Sequence, residues 1–479
     1  MIKDTLSENG EIVQKQTKRQ ANLFLILALL FGLLLILIEP PFVIPDENKH
    51  YLNVIRVSHG GIFADVQDGQ SGAYITADEY AFLSAFDGKY VNNSETYNTD
   101  IAFEHLGAPA DGEEVFFASG DVAINPTPYL LPGLAIALAR VLSFFSLNAF
   151  GGYLIGKFVN LLFFALIVRW ALLRTKYLRN TMFLLGLMPM TIFQAASVSY
   201  DAYVISAAFL LFAFLTKILT AEPDVRISLE DVVAICLAAA LLIGVKIAYA
   251  PLLLVLFAIP IRRFGSWKRY IACIAAVGVI GGLFYGVPTL FNGMRLSGCE
   301  TVLTDAQIAQ NAYVSENPTI LLSVIPHTLG VFFFYWLESF FGILGWLDTP
   351  FPVFFVVLFL LSLLFVALAE LSSIRMLKVK PRILAWLGVT VFFVGTVYTM
   401  YVSWNPVLTG IVGGTIAYGG QGRYFIPIAP FVFLIAANPL VYRWKIKEAT
   451  TAICERATPL ISLTYLTLTV ILVFIRYWM

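Results

Sequence analysis

The sequence predicts an all-α polytopic membrane protein: a helical bundle of about 11–13 transmembrane helices with one large extracytoplasmic first loop. Three observations lead there. Of 479 residues, 59% are hydrophobic and only 13% are charged, whereas a soluble domain carries about 25% charged residues to keep its surface wet. Apolar windows of about 20 residues recur along the chain, each long enough to cross the hydrocarbon core. Clusters of Lys and Arg punctuate those windows, as they do on the cytoplasmic side of membrane proteins.

Residues 1–20 read as a polar cytoplasmic tail, because Lys15, Lys18 and Arg19 stand just before the first apolar run. Residues 21–40 form the first transmembrane helix. Its apolar run is too long for a signal peptide and no small-residue cleavage site follows it, so it is expected to be a signal anchor. Residues 41–126 are then the large extracytoplasmic loop, acidic through Asp65, Asp68, Asp78, Glu79, Asp111, Glu113 and Glu114. A loop of that size usually carries function.

Residues 127–479 form the multi-span domain. "RTKYLRN" from Arg174, "RRFGSWKR" from Arg262, "RMLKVKPR" from Arg375 and "YRWKIK" from Tyr442 all read as cytoplasmic. Four crossings fit between Asn180 and Arg262, which puts Ser199 to Asp201 and Lys246 to Tyr249 at the outer face. "AEPDVRISLED" is the inner turn between them, and further outer loops fall near 292–318 and 403–423. The stretch "FFFYWLESFFGILGWLDTPFP" is rich in aromatics and reads as interfacial or re-entrant. A last span from about Leu460 leaves the C-terminus outside. One conflict stands: full crossings at both 127–147 and 152–173 would export "RTKYLRN" against its charge. Either one of the two is tilted or half-inserted, or the charge rule fails there.

Other classes find no support. Net charge is zero, so no global field points to nucleic acid. No phosphate-binding loop or dinucleotide fingerprint occurs. Cys236, Cys273, Cys299 and Cys454 lack metal-type spacing and predict no disulfide framework. His59, His105 and His327 share no ligand spacing with His50.

Candidate chemistry centres on "IPDENKHY". Pro45 suits the first turn of a helix, and Asp46 and His50, four apart, would share a face with Glu47 near by. A carboxylate partly desolvated at a membrane rim gains basicity. The alternative is that Asp46 and Glu47 only cap a surface helix. Arg423 in "GQGRYF" is the strongest candidate for gripping a phosphate, since a guanidinium offers paired donors and the flanking glycines admit a ligand. Lys246 is the second, against plain snorkelling to the interface. Asp201 lies where a span meets the outer face; it is either functional or a cap made together with Ser199. Arg140 and Lys157 sit inside apolar segments with no role assigned. Tyr335, Trp336 and Trp346 could stack on a sugar, though interfacial aromatic belts are the commoner use.

Six blocks occur in order: "PPFVIPDENKHYLNVIRVSHGGI", "NPTPYLLPGLAIALARVL", "LMPMTIFQAASVSYDAYVISAAFL", "KIAYAPLLLVLFAIP", "GILGWLDTPFP" and "GQGRYFIPIAP". Together they resemble a bacterial membrane-protein family catalogued as a domain of unknown function, DUF2142, which is grouped with the GT-C glycosyltransferases. The resemblance runs from about Pro41 to Pro430. It implies a GT-C-like bundle in the bacterial cytoplasmic membrane with its active site facing outward, and a sugar donor linked to polyprenyl phosphate. It also implies a surface polysaccharide or glycolipid acceptor. In such enzymes an acid soon after the first span is catalytic base or metal-positioning group, which falls on Asp46 with Glu47 beside it. His50 matches the family's histidine; Asn48 and Lys49 depart from its usual residues, and Lys49 is expected to pair with Glu47 or touch a phosphate. A divalent cation, Mg2+ or Mn2+, is the one cofactor left open. Two other readings stand beside this one: a transporter or flippase of a lipid-linked glycan, and a non-catalytic membrane scaffold. Charges gathered near one face favour surface catalysis over a path through the membrane.

Overall fold

The computed structural model describes residues 2–92, 94–107, 113–123, 125–142, 147–299, 304–373, 378–437, 439–443 and 448–479. Asp111, Arg375 and the 444–447 part of the last basic cluster lie outside them. The chain is an all-α polytopic bundle, and its two ends are named here by what they carry: the tail end, with the N-terminus, and the loop end, with residues 41–126.

Helix α1 (Ile2–Ile38) is continuous over 37 residues, about 56 Å at 1.5 Å per residue. The polar tail is therefore a helical extension of the first span. Ala21, Phe24, Ala28, Phe31 and Leu35 form its buried stripe, while Ile26, Leu30, Leu33 and Leu37 face outward; this is the one-sided burial expected of a peripheral helix.

The loop folds as a small subdomain. Helix α2 (Glu47–Ser58) is followed by strands β1 (Asp65–Gln67) and β2 (Gln70–Thr76), helices α3 (Ala77–Phe86) and α4 (Thr99–Gly107), and strand β3 (Glu114–Ala118). The three strands form one antiparallel sheet, with Val66 opposite Ser71 and Tyr74 opposite Phe116. Asp68 and Gly69, both at positive φ (50° and 75°), make the two-residue turn that matches strand twist.

Helix α5 (Leu130–Leu142) settles the charge conflict. At 13 residues it spans about 20 Å, short of the roughly 30 Å of hydrocarbon. It packs along α2 at Gly133, where a Cβ would lie 2.6 Å from Val57. Leu131, Leu134, Leu138, Val141 and Leu142 are exposed on it. Helix α6 (Ala149–Arg174) starts at the loop end, where the Ala149 amide donates to Asp78 (3.0 Å). It finishes at the tail end, with Arg169 on Asn22 and Arg174 on Glu230 (2.6 Å). Residues 127–142 thus stay at the loop end, as a segment too short to cross. Arg174 keeps the side its charge requires.

The core follows. Helices α7 (Arg179–Gly186) and α8 (Pro189–Ala195) form one broken rod, with Pro189 at the first position of the second piece. Helix α9 (Asp201–Thr220) is buried on all sides from Ala202 to Thr216, which only an apolar helix at the centre of a bundle can tolerate. Helix α10 (Leu229–Val245) opens with a Ser228–Asp231 capping box. It returns to the loop end, where Lys246 ends it and a 3-10 helix, Ile247–Ala258, descends again. Helices α11 (Trp267–Gly281) and α12 (Val287–Arg295) continue one rod through a π turn at Gly282–Gly286.

Helix α13 (Asp305–Glu316) lies above the bundle and precedes α14 (Leu321–Phe341), the hairpin of β4 (Ile343–Leu344) and β5 (Thr349–Pro350), α15 (Val353–Ser373), α16 (Val379–Thr399), α17 (Asn405–Thr409), α18 (Ala429–Ile435), α19 (Pro439–Arg443) and α20 (Glu448–Trp478). Helix α14 carries much of the aromatic stretch and begins and ends in the loop-end half. Val324 packs with Val397 and Tyr401, Trp336 meets Phe393, and Asp348 of the hairpin pairs with Arg476 near the end of α20 (3.4 Å). Helix α15 can then run back to the tail end, where Glu370 accepts from the Asn180 and Thr181 amides (2.8 and 2.9 Å). Helix α20 lies parallel to α1, with Gln16 on Glu455 at one end and Trp478 on the Ile38 carbonyl at the other. Among the described residues eight helices are long and apolar enough to cross a membrane, with α5, α10 and the 3-10 helix as shorter apolar segments.

Candidate active site

Three breaks in the bundle meet at the loop end: the turn into α2, the start of α9, and the short 3-10 helix Gly422–Phe425. Each places a charge there. Asp46 precedes α2 at φ 65°, ψ 10°, the left-handed region that Asp and Asn enter more readily than other side chains. Its carboxylate makes no capping bond to α2, so capping does not account for it. Asp201 opens α9, but its amide is received by Ser199 Oγ (3.2 Å). The helix has no side-chain N-cap, and the Asp201 carboxylate faces Arg423.

Arg423 joins the two acids. Its Nη2 lies 4.0 Å from Asp46 Oδ2 and its Nε lies 3.6 Å from Asp201 Oδ2. Nη1 donates to Gln194 Oε1 at 3.2 Å. Both carboxylates stand at ion-pair distance but beyond hydrogen-bond distance, and Nε is buried with no hydrogen-bond partner. Burial works against the Arg423 charge; Asp201 first, then Tyr424, Tyr200 and Asp46, outweigh it and raise its pKa. The glycine before it is required by packing. A Cβ on Gly422 would lie 2.0 Å from the Trp336 carbonyl, so that glycine lets the Arg423 segment seat against α14.

Lys246, at the C-terminus of α10, lies over three tyrosine rings, 4.1 Å from the centroid of Tyr424, 5.1 Å from Tyr200 and 6.0 Å from Tyr249. It is held by π faces beside the Asp201–Arg423 pair. His50 Nδ1 is hydrogen-bonded to the Tyr129 hydroxyl (2.7 Å), and its ring meets Tyr200 edge-on at 4.6 Å. Burial lowers the His50 pKa to about 4, against the pull of Asp46 and Asp201, so the ring is neutral at pH 7.

Two residues of the quoted motif have partners other than those expected. Glu47 is fully buried and accepts from the Val198 amide (3.2 Å); burial raises its pKa. It anchors the start of α2 to the turn between α8 and α9 and does not join Asp46. Lys49 pairs with Asp46 (3.7 Å) and Asp121 (3.5 Å), where the sequence pointed to Glu47 or a phosphate. Asp46, His50, Lys49, Asp201, Lys246 and Arg423 are therefore neighbours, while Glu47 lies behind them.

Reading the sequence missed Gln194, Tyr129, Tyr200 and Tyr424. It also missed the partner of Lys157, which pairs with Glu39 at 3.0 Å, both wholly buried. Arg140 ties α5 to Ser58 and Glu79, and Trp336 donates to the Gly420 carbonyl (3.0 Å); both are bracing contacts. Among the described residues no group of three or more His, Cys, Asp and Glu side chains could hold a metal ion. Asp46 and Asp201 already share a guanidinium, a donor set ill suited to Mg2+ or Mn2+.

Fold and site define a polytopic helical membrane protein with a mixed cluster of acids, cations and tyrosines at one rim. The chain belongs to the family described as predicted membrane protein, DUF2142, whose model matches residues 29–432. No curated protein and no solved structure matches it.

Proposed function

We propose that this protein is a membrane glycosyltransferase that moves a sugar from a polyprenyl-phosphate donor to a surface glycan or glycolipid acceptor, with its loop end outside the cytoplasmic membrane. One observation carries the reading: Arg423, whose buried Nε has an ion-pair neighbour but no hydrogen-bond partner, stands between Asp46 and Asp201 and beside Lys246. Such a cluster pairs donors for a phosphate with a carboxylate 39% exposed that can take a proton. An apolar groove of about 320 Å3 supports the lipid part; it lies between the 3-10 helix that follows Lys246 and helices α11 and α16, lined by Ala250, Leu253, Leu254, Phe257, Ile274 and Val391.

The chemistry balances without a further reactant. The acceptor hydroxyl gives its proton to Asp46 as its oxygen bonds to the anomeric carbon. The anomeric carbon–oxygen bond to phosphate breaks, and the electron pair leaves with polyprenyl phosphate. Arg423 and Lys246 stabilise the charge that develops on the leaving group. Lys49 and Asp201 hold the two charges of the pair in place, and neutral His50 packs the cluster.

The test is sugar transfer by protein in nanodiscs from a panel of synthetic short-chain polyprenyl-phosphate sugars. Asp46→Asn should lower turnover by about 10²–10⁴-fold, the usual worth of a general base, with unfolding unchanged. Wild-type turnover in Asp46→Asn would remove the base, and no transfer from any donor would remove the reaction.

A further inference from the structure

A second cavity lies one helical turn from Asp46, and the charged cluster does not account for it. It measures about 240 Å3 and opens between α2, α3 and the end of β3. Its lining includes Asn48, Lys49, Ser84, Asp87, Phe117 and Asp121. Asn48 donates to Asp87 Oδ1 at 2.7 Å, while its own Oδ1 is buried with no hydrogen-bond partner. The wall therefore offers carboxylate acceptors, a hydroxyl and an aromatic ring. Lys49 joins this cavity to the cluster, since its ammonium is shared between Asp46 and Asp121.

That lining suits one class of molecule. A pyranose presents neighbouring hydroxyls that donate to carboxylates or pair with the Ser84 hydroxyl, and an apolar face for Phe117. Two carboxylates against one ammonium leave the wall net negative, which disfavours phosphates and uronic acids. The volume is below the roughly 300 Å3 at which pockets for larger ligands begin, so it takes one sugar unit. We propose that this cavity binds the terminal neutral sugar of the acceptor, and that Lys49 marks the border between acceptor and donor sides. The proposal rests on the glycosyltransferase reading for the word acceptor, but the binding of a neutral sugar stands apart from it.

The probes are methyl glycosides of glucose, galactose, mannose and N-acetylglucosamine, with methyl glucuronide as the charged control. Binding is read by saturation-transfer NMR on protein in nanodiscs. At least one neutral glycoside should bind while the glucuronide does not. Ser84→Trp, at an exposed position on the cavity wall, should abolish binding without lowering the unfolding midpoint. Asp87→Asn should weaken it by about tenfold, the worth of one hydrogen bond to a charged group. Failure of all four neutral glycosides, or binding that survives Ser84→Trp, overturns the proposal. Binding that Ser84→Trp abolishes, with no sugar transfer from any donor, keeps this site and removes the glycosyltransferase reading. Sugar transfer whose acceptor KM is unmoved by Ser84→Trp does the reverse.

Discussion

Arg423 faces two carboxylates of unequal exposure, and that difference can be measured without knowing the reaction. Asp201 stands 3.6 Å away with its side chain 10% exposed; Asp46 stands 4.0 Å away at 39%. At an effective dielectric of about 20 the Asp201 pair is worth about 4.6 kcal/mol before desolvation, whereas nearer the water limit the Asp46 pair is worth about 1 kcal/mol. Desolvation offsets part of the first, so the net coupling should be about 2 kcal/mol for Arg423–Asp201 and below about 1 kcal/mol for Arg423–Asp46. The assay is a pair of double-mutant cycles built from Arg423→Gln, Asp201→Asn and Asp46→Asn, with unfolding in bicelles followed by SDS titration. Arg423→Gln alone should cost about 3–5 kcal/mol because it strands Asp201. Equal couplings, or a larger one for Asp46, would refute the account of the cluster. The weak Asp46 coupling also makes Asp46→Asn a clean probe of catalysis, because it removes a base without loosening the fold.

Burial holds the folded His50 pKa near 4, below the ordinary 6.5. Between those values the unfolded chain binds more protons, so His50 makes stability fall as pH drops from about 6.5 towards 4 and adds no slope above 6.5. His50→Gln should flatten that fall, and parallel melting curves for the two proteins from pH 7 to 4.5 would disprove it. Gly422→Ala places a Cβ 2.0 Å from the Trp336 carbonyl and should destabilise by about 1–3 kcal/mol through overpacking; an unchanged midpoint would show that the Arg423 segment is not seated on α14. Single cysteines at Asn98 and Val225 in a cysteine-free background should label from opposite sides in intact cells, Asn98 from outside. Labelling of both from one side would break the topology.

Much of the site was legible because charge in an apolar chain is costly and therefore conspicuous. Asp46, Asp201, Lys246 and Arg423 each stand at the end of a greasy run, and each proved to be in the cluster. Their uncharged partners gave no such signal: Gln194 in "TIFQAAS" and Tyr424 beside Arg423 look like ordinary residues of a membrane segment. Adjacent carboxylates also mislead, because Asp46 stands outside α2 in the left-handed region while Glu47 is the first residue of the helix, so the two side chains part. Helix α5 deceived by hydropathy alone. Its apolar stripe reads as a crossing, yet Arg140 within it was the clue that one face meets protein, at Glu79 and Ser58. The sheet had a signal in Asp68-Gly69, passed over because its strands are short.

The side-by-side pairing of α1 and α20 has a temporal meaning. Trp478 and the Ile38 carbonyl it bonds are 440 positions apart, so at about 5–20 residues per second the first helix waits roughly 20–90 s for its neighbour to be synthesised. During that interval one flank of α1 must be kept by lipid or by the insertion machinery. The closing of this seam cannot precede the synthesis of α20, and damage to α20 would act on a helix already in place rather than on its insertion.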